Sequence, residues 1–574
     1  MQQEVPGQDA AGGAAPATRR SLSGGQVVVA QLVREGITHA FTVPGESFLG
    51  VLEGLAGPHR EGTLRLVATR HEGGAAFMAE AFGQLTQRPA VCLGTRAVGA
   101  ANLAIGIHTA RQDSTPMLVL VGQVKRAWRG REAFQEVDQV GTFGRLAKWA
   151  VEVDDPLELA PTIHHAVAIA RGGRPGPVLV SIPEDVLEER LDDPSFLEAA
   201  DPGRPVPPRE AVAAVLSRLL AARRPVVLAG GGVLRSGAAA ELVAFAEAAE
   251  LPVVAAWRRP DVFPNQHRLY LGMSGLGAAA SVRLRLAEAD AILAIGTRLS
   301  EIATFGYAIP ARGTQLLRVD VDPGAHETWH DPAVAVRADA RAFLELAIGE
   351  LGDPEAPGDP ARGERAARNA LDREAYLAAS ALPVVPLGEG VHPAAVVAAM
   401  VEQLPDDAIL TTDAGNFAGW AARYYRFSRP GTFLGPTSGA MGYGLPGAIA
   451  AALVHPGRRV VAMAGDGGFA MTMAELETAV REGLRLVALV FDNRMYGTIR
   501  MHQEDGAPDR VVGTDLGPID FAAVATALGA RGLRVDDDDE IPEALAEALD
   551  SEHPAVVHLR CDPRWLSVDR ELGS

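Results

Sequence analysis

Residues Val460–Gly497 read VVAMAGDGGFAMTMAELETAVREGLRLVALVFDNRMYG. Two apolar runs, Val460–Ala464 and Leu486–Phe491, have the β-branched, unalternating character of central parallel strands buried on both faces. The first stops at Gly465-Asp466-Gly467 and the second at Asp492-Asn493. Between them, Thr472 to Glu475 fits a T-x-x-E capping box, Leu476, Ala479 and Val480 share one helical face, and Gly483 is a natural stop. Strand, helix and strand in this order close into a right-handed crossover. Asp466 and Asn493 therefore emerge side by side at the carboxyl ends, where open α/β sheets bind ligands.

Gly465, Gly467 and Gly468 let backbone approach a ligand closely, and the helix that follows offers free N–H groups to an anion. A carboxylate, an amide oxygen and a loop carbonyl are hard oxygen ligands, too few to cage Mg²⁺ alone. Phosphate oxygens and water must complete the octahedron. Either pair by itself reads more plainly as a helix-capping Asp or a turn Asn; both at one sheet edge predict a metal-bridged diphosphate.

Outward from this stretch, short apolar runs ending in Gly, Asp or Pro alternate with Ala-rich helical segments along all 574 residues. Such alternation predicts an α/β protein of three doubly wound parallel-sheet domains. Residues 1–20 read as a disordered tail, 21–195 as the first domain, 205–350 as the second, 351–387 as a charged, Pro/Gly-bearing linker with some helix, and 388–565 as the third. The strand candidates are HAFTVPG, RLVAT, AVCLGT, MLVLVGQV and GPVLVSIPED in the first. They are PVVLAGGG, LPVVAA, AILAIGT and LLRVDVDP in the second, and AILTTDAG, RVVAMAGDG, LVALVFDN and PAVVHLRCD in the third.

A formal charge of −19 argues against nucleic acid or an acidic membrane surface as partner, and no apolar stretch is long enough to span a bilayer. Cys92 and Cys561 can form neither a disulfide framework nor a zinc cluster, which together with the absence of a signal-like apolar core predicts the cytoplasm.

GDGGF…FDN resembles the thiamine-diphosphate motif of the acetolactate-synthase-like superfamily. The resemblance implies that Asp466, Asn493 and the Met495 carbonyl hold Mg²⁺, beside Gly465, Gly467 and Gly468. RHEGGAAFMAEAFGQLTQRPA resembles the segment carrying the family's catalytic glutamate, here Glu72. A carboxyl bonded to the aminopyrimidine N1′ favours the tautomer whose N4′ removes the thiazolium C2 proton. PTSGAMGYGLPGAIAAAL resembles the segment that bends the cofactor, implying a wedge at Met441 and a carbonyl acceptor at Gly439. TTDAGNF resembles the diphosphate-contacting loop, implying Gly415 and Asn416.

The resemblance runs over nearly the whole chain. It implies pyrimidine-binding, central and diphosphate-binding domains in that order, and a homo-oligomer, dimer or tetramer, with active sites at the subunit interface. Glu72 and Asp466 of one site would then come from different chains. Some relatives hold FAD or an ADP moiety in the central domain. Gly230, Gly231 and Gly232 without GxGxxG read as a plain strand-to-helix turn, so FAD is not supported.

The implied reaction is carbon–carbon bond making or breaking on a short 2-oxo acid through a decarboxylated enamine. The alternatives are a non-ligating 2-oxo acid decarboxylase, a 2-hydroxyacyl(-CoA) lyase, or a catalytically silent nucleotide-binding regulatory protein. Three departures from acetolactate synthases bear on the choice. Glu46 follows Pro44-Gly45 where small residues are common, making it a candidate acid/base. Arg96 precedes Ala97-Val98-Gly99-Ala100-Ala101-Asn102 in place of Gly-Pro-Gly-Ala-Thr-Asn, and YGTIRMHQE lacks the acceptor-selecting tryptophan. Arg96, Asn102, Phe134, Gln135 and Lys148 are the substrate-pocket candidates, and Arg126, Arg129 and Arg131 are arginines near the same segment.

Overall fold

The computed structural model describes residues 21–199, 201–327, 330–351, 360–384 and 389–572. The expected tail at 1–20 and parts of the linker lie outside these residues. Three six-stranded sheets, each parallel throughout, form the body of the chain. In the first the spatial order is Arg65–Ala68, His39–Thr42, Val91–Thr95, Met117–Gln123, Pro177–Pro183 and Trp149–Glu152. In the third it is Phe433–Leu434, Ile409–Thr412, Val460–Gly465, Val487–Asp492, Ala555–Arg560 and Arg531–Val535. Numbered along the chain, both run 2-1-3-4-6-5. The middle sheet, from Tyr270–Met273 through Val253–Ala255, Pro225–Ala229, Ala291–Ile295 and Gln315–Asp320 to Val334–Arg337, runs 3-2-1-4-5-6. Each order reverses beside its first strand, and the carboxyl ends at that reversal form a crevice.

The outer domains share one apolar core. Helix Glu72–Thr86 and helix Gly444–Val454 press together through Ala and Gly, and both are buried nearly all round. Such helices belong inside a protein rather than on its surface. Phe77 meets Tyr443 edge-on at 5.5 Å between ring centroids, an aromatic pairing of roughly 1 kcal/mol beyond its area. The linker contributes helix Pro360–Ala379, whose Tyr376 enters the middle core against Tyr270.

The capping box expected over Thr472–Glu475 does not form. The helix breaks there into Asp466–Thr472 and Glu475–Arg481, and the second has Ala474 at its N-cap with no side-chain bond. Both side chains are buried and serve tertiary partners instead. Thr472 Oγ1 donates to the Gly442 carbonyl at 2.9 Å, and the Glu475 carboxylate crosses to the first domain. Gly483, at φ +65°, does end the second helix. The glycines at 230–232 form the expected turn: Gly232 N donates to Gly296 O at 2.9 Å, an approach a side chain would block.

Candidate active site

In the third sheet the reversal falls between Ile409–Thr412 and Val460–Gly465. Gly415 and Asn416 leave the first of these strands, and Gly465 to Gly468 leave the second. Asn493 and Met495 follow the neighbouring strand Val487–Asp492. These residues, with Gly439 and Met441, line a single cavity of about 530 Å³. Every residue expected to hold the diphosphate, the metal or the thiazolium in the third domain is thus brought to one place. Gly439 sits at φ +72°, a left-handed turn that suits glycine, two residues before Met441.

The donor set fits a magnesium diphosphate. Asp466 Oδ2 is buried with no hydrogen-bond partner, while Oδ1 accepts from Gly467 N at 2.8 Å. Burial pushes Asp466 up to about 7, and the Asp492 charge adds to the shift. Asp492 is buried, which would raise it, yet His558, whose Nε2 lies 2.8 Å from its Oδ2, and the neighbouring Asp466 hold it below its usual range. A divalent cation beside Asp466 would favour its charged carboxylate and take up the partnerless Oδ2. Asn493 Oδ1 accepts from Met495 N at 3.3 Å, and the Met495 carbonyl accepts from Gly497 N at 2.9 Å, leaving each oxygen a second lone pair. A Cβ on Gly467 would meet Tyr496, and one on Gly468 would fall inside the Asp413 carboxylate, whose Cγ lies 3.2 Å away. The loop is glycine because it is sandwiched.

Asp413 holds the start of helix Gly444–Val454. Its Oδ1 accepts from Gly444 N at 2.6 Å, and burial raises it to about 6 against those backbone bonds. Apolar walls come from Phe417, stacked on Phe491 at 5.5 Å, and from Trp257 and Met273 of the middle domain. Trp257, Arg258, Met273, Trp565 and Leu566 were not expected here. Arg258 donates to Thr412 Oγ1 and to the Asp413 carbonyl, both at 3.0 Å. The motif AWRRP, two arginines directly after a buried strand, was the available signal. Trp565–Ser567 and Arg570–Glu571 form a small hairpin whose Leu566 carbonyl takes the Asn416 amide at 2.8 Å.

No residue of the first domain lines this cavity. Glu72 begins helix Glu72–Thr86, at the carboxyl end of Arg65–Ala68, with its Oε2 receiving the Asn102 amide at 2.8 Å. A Cβ on Gly99 would lie 3.5 Å from Glu72 Oε1, and its neighbour Val98 is 49% exposed. Glu46 and Leu49, which follow the adjacent strand His39–Thr42, are exposed, as is Phe134 at 73%. Phe134 and Gln135 lie against the Arg96 turn, with Ala97 N donating to Gln135 O at 3.2 Å. Arg96 itself is buried and paired with Glu184 at 3.2 Å. Lys148 is drawn elsewhere: its ammonium donates to the Ile169 carbonyl at 2.6 Å and to that of Gly172, closing the end of helix Leu159–Arg171. Arg126 is engaged by Asp185 and Glu189, and Arg129 by Glu152.

Comparison with known proteins follows the same division. Family models match in order: the thiamine pyrophosphate enzyme N-terminal TPP binding domain at residues 22–142, the central domain at 212–346 and the C-terminal TPP binding domain at 413–559. The acetolactate synthase large subunit of Parasynechococcus marenigrum (strain WH8102) is 32% identical over 550 residues, 94% of this chain and 88% of the relative. The probable acetolactate synthase large subunit of Methanococcus aeolicus is 31% identical over 562 residues, 94% and 92% of the two chains. The acetolactate synthase isozyme 3 large subunit of Escherichia coli (strain K12) is 31% identical over 572 residues, 95% and 99%.

Proposed function

Because the chain belongs to the family of thiamine-pyrophosphate enzymes that contains the acetolactate synthase large subunits, we propose that it couples a decarboxylated short 2-oxo acid to a second carbonyl compound, in an active site built by two copies of the chain. It is a thiamine-diphosphate-dependent carboligase. The observation that carries the two-copy reading is the division of the machinery. The cavity holds the expected diphosphate and metal residues and nothing from the first domain, while Glu72 stands on a separate face beside exposed apolar side chains. A second copy would cover that face and supply the missing glutamate.

When bound, thiamine diphosphate supplies a carbon acid that adds to the 2-oxo acid carbonyl and takes up the electron pair left by CO₂. Asp466, Asn493 and the Met495 carbonyl would hold Mg²⁺, and the Gly468 amide would meet the diphosphate. Glu72 holds the proton at the pyrimidine: Asn102 occupies its Oε2, so Oε1 is the oxygen left to exchange it. Trp257, Met273, Phe417 and Met441 exclude water, which favours carbonyl attack over protonation. Residues Ala97–Asn102, where the resemblance leads one to expect a loop, are instead the first turns of helix Arg96–Asp113. That helix start, with Gln135 laid against it, and Glu46 are the candidates for the substrate side. No helix among the described residues is long and apolar enough to cross a membrane. The buried, unpaired Cys92 and Cys561 fit a reducing cytoplasm.

The test is pyruvate turnover with and without thiamine diphosphate and Mg²⁺, following CO₂ and identifying products. Acetolactate or acetoin with CO₂, dependent on both cofactors, is the expected outcome. Acetaldehyde alone would contradict coupling. Silence on pyruvate and on its short homologues, with cofactor bound, would overturn the substrate class.

A further inference from the structure

Glu475 is fully buried in the third domain, nine residues beyond Asp466, yet its carboxylate is spent on the first domain. Oε1 accepts from His71 N at 2.9 Å and from Arg70 N at 3.1 Å, and Oε2 lies 3.2 Å from Arg70 N and 2.7 Å from Thr478 Oγ1. Arg70 and His71 are the residues directly before helix Glu72–Thr86, and His71 is its N-cap, accepting from Gly73 N at 2.9 Å. The carboxylate therefore stands at the amino end of the helix whose first residue is Glu72. There its charge meets the positive end of the helix dipole and takes up N–H groups that have no partner within the helix. The fit is close: a Cβ on Gly74 would run into the Glu475 carboxyl, with Cδ only 2.7 Å away.

The same short helix clamps the whole approach to Glu72. Arg65 pairs with Glu482 at 2.6 Å, Arg481 donates to the Ala68 carbonyl, and Arg70 pairs with Glu477 at 2.9 Å. The other three ties involve partly exposed arginines, whose pairs are individually weak. Glu475 alone is buried and bonded to the backbone next to Glu72.

We propose that Glu475 is a positioning residue for Glu72, acting across the domain boundary as the cap of the helix that Glu72 begins. The proposal rests on the reading of Glu72 as the residue that handles the pyrimidine proton. It has a second consequence under the two-copy arrangement. Asp466 and Glu475 belong to one continuous segment, so the segment that forms the metal loop of one site also sets the glutamate of the other site.

The test compares Glu475→Gln, Glu475→Ala and Glu72→Gln with the parent, each as the full chain. Three quantities are read: hydrogen–deuterium exchange of the amides at residues 69–75 without cofactor, thiamine diphosphate affinity with Mg²⁺, and C2-proton exchange of the bound cofactor. Glu475→Ala should lose amide protection at Arg70 and His71 and slow C2 exchange about 10- to 100-fold, the penalty typical of a misplaced catalytic group, with affinity changed less than about threefold. Glu475→Gln, which keeps one acceptor oxygen, should fall between Glu475→Ala and the parent. Affinity falling in step with C2 exchange would mean that Glu475 serves its own metal loop and would overturn the proposal. Unchanged C2 exchange in Glu475→Ala, beside a strong effect of Glu72→Gln, would overturn it as well. Unchanged C2 exchange in Glu72→Gln itself would instead refute the underlying reading of Glu72, and the proposal with it.

Discussion

Asp113 joins all three domains, so replacing it perturbs the stability of their junction directly. It ends helix Arg96–Asp113 of the first domain, fully buried, and pairs with Arg259 of the middle domain at 2.6 Å. Both of its oxygens accept from Thr437 N of the third domain at 3.2 Å. Burial lowers Arg235 and Arg258 to about 10, and the Asp113 charge is among those that counter the shift. Asp113→Ala would strand the buried Arg259 guanidinium, at a cost of roughly 3–5 kcal/mol. It would also leave Thr437 N unpaired, a further penalty of about 1–3 kcal/mol that overlaps with the first. We therefore expect at least about 3 kcal/mol of destabilisation, read from the urea midpoint of the first unfolding transition. Thr437 leads directly into Gly439 and Met441, so thiamine diphosphate affinity, followed by fluorescence titration, should fall in the same variant. Asp113→Asn keeps an acceptor for Thr437 N and should lose less. If both variants unfold within about 0.5 kcal/mol of the parent, the range of ordinary surface substitutions, the inter-domain pairing is not what holds this junction.

Other expectations follow from single sites. Gly468→Ala forces a methyl into Asp413 and should shift the metal loop by about an ångström, lowering kcat/KM roughly 100-fold while the protein stays folded. Glu80, bonded by Tyr443 and Thr115 at 2.7 Å each, is raised from 4.5 to about 7 by burial and by the Asp113 charge. Its folded form keeps a proton that the unfolded chain gives up, so its contribution is full below pH 4.5 and is lost as pH rises to 7. Glu80→Gln should flatten that part of the stability profile, measured as urea midpoints across the window; an unchanged slope would assign it to other groups. Chelation of divalent metal should release thiamine diphosphate and Mg²⁺ should restore it, whereas Asp466→Ala should show no such recovery at the same Mg²⁺ concentration.

The strands legible in the sequence are those with a continuous apolar run, and the ones it concealed are at sheet edges. Trp149–Glu152, Tyr270–Met273, Val334–Arg337, Phe433–Leu434 and Arg531–Val535 all stand at the end of a sheet. They are short or charged, as edges are, so neither run length nor alternation marks them. That the residues expected to hold diphosphate and metal would meet in one cavity was legible because they sit where strands end, a position that sequence spacing encodes. Trp257, Arg258 and Glu475 were not, because each acts across a domain boundary. The same cause explains the capping box that did not form: T-x-x-E is a local pattern, and burial let Gly442 and the backbone before Glu72 claim both side chains.

The most direct test of the account is to co-express, in equal amounts, one chain carrying Glu72→Gln and another carrying Asp466→Ala. Each variant alone should be inactive. In a two-fold dimer with random pairing, half of the dimers combine the two chains and each holds one intact site, so about a quarter of the parental activity should return. No recovery from the mixture would contradict an active site that takes Glu72 from one chain and Asp466 from its partner.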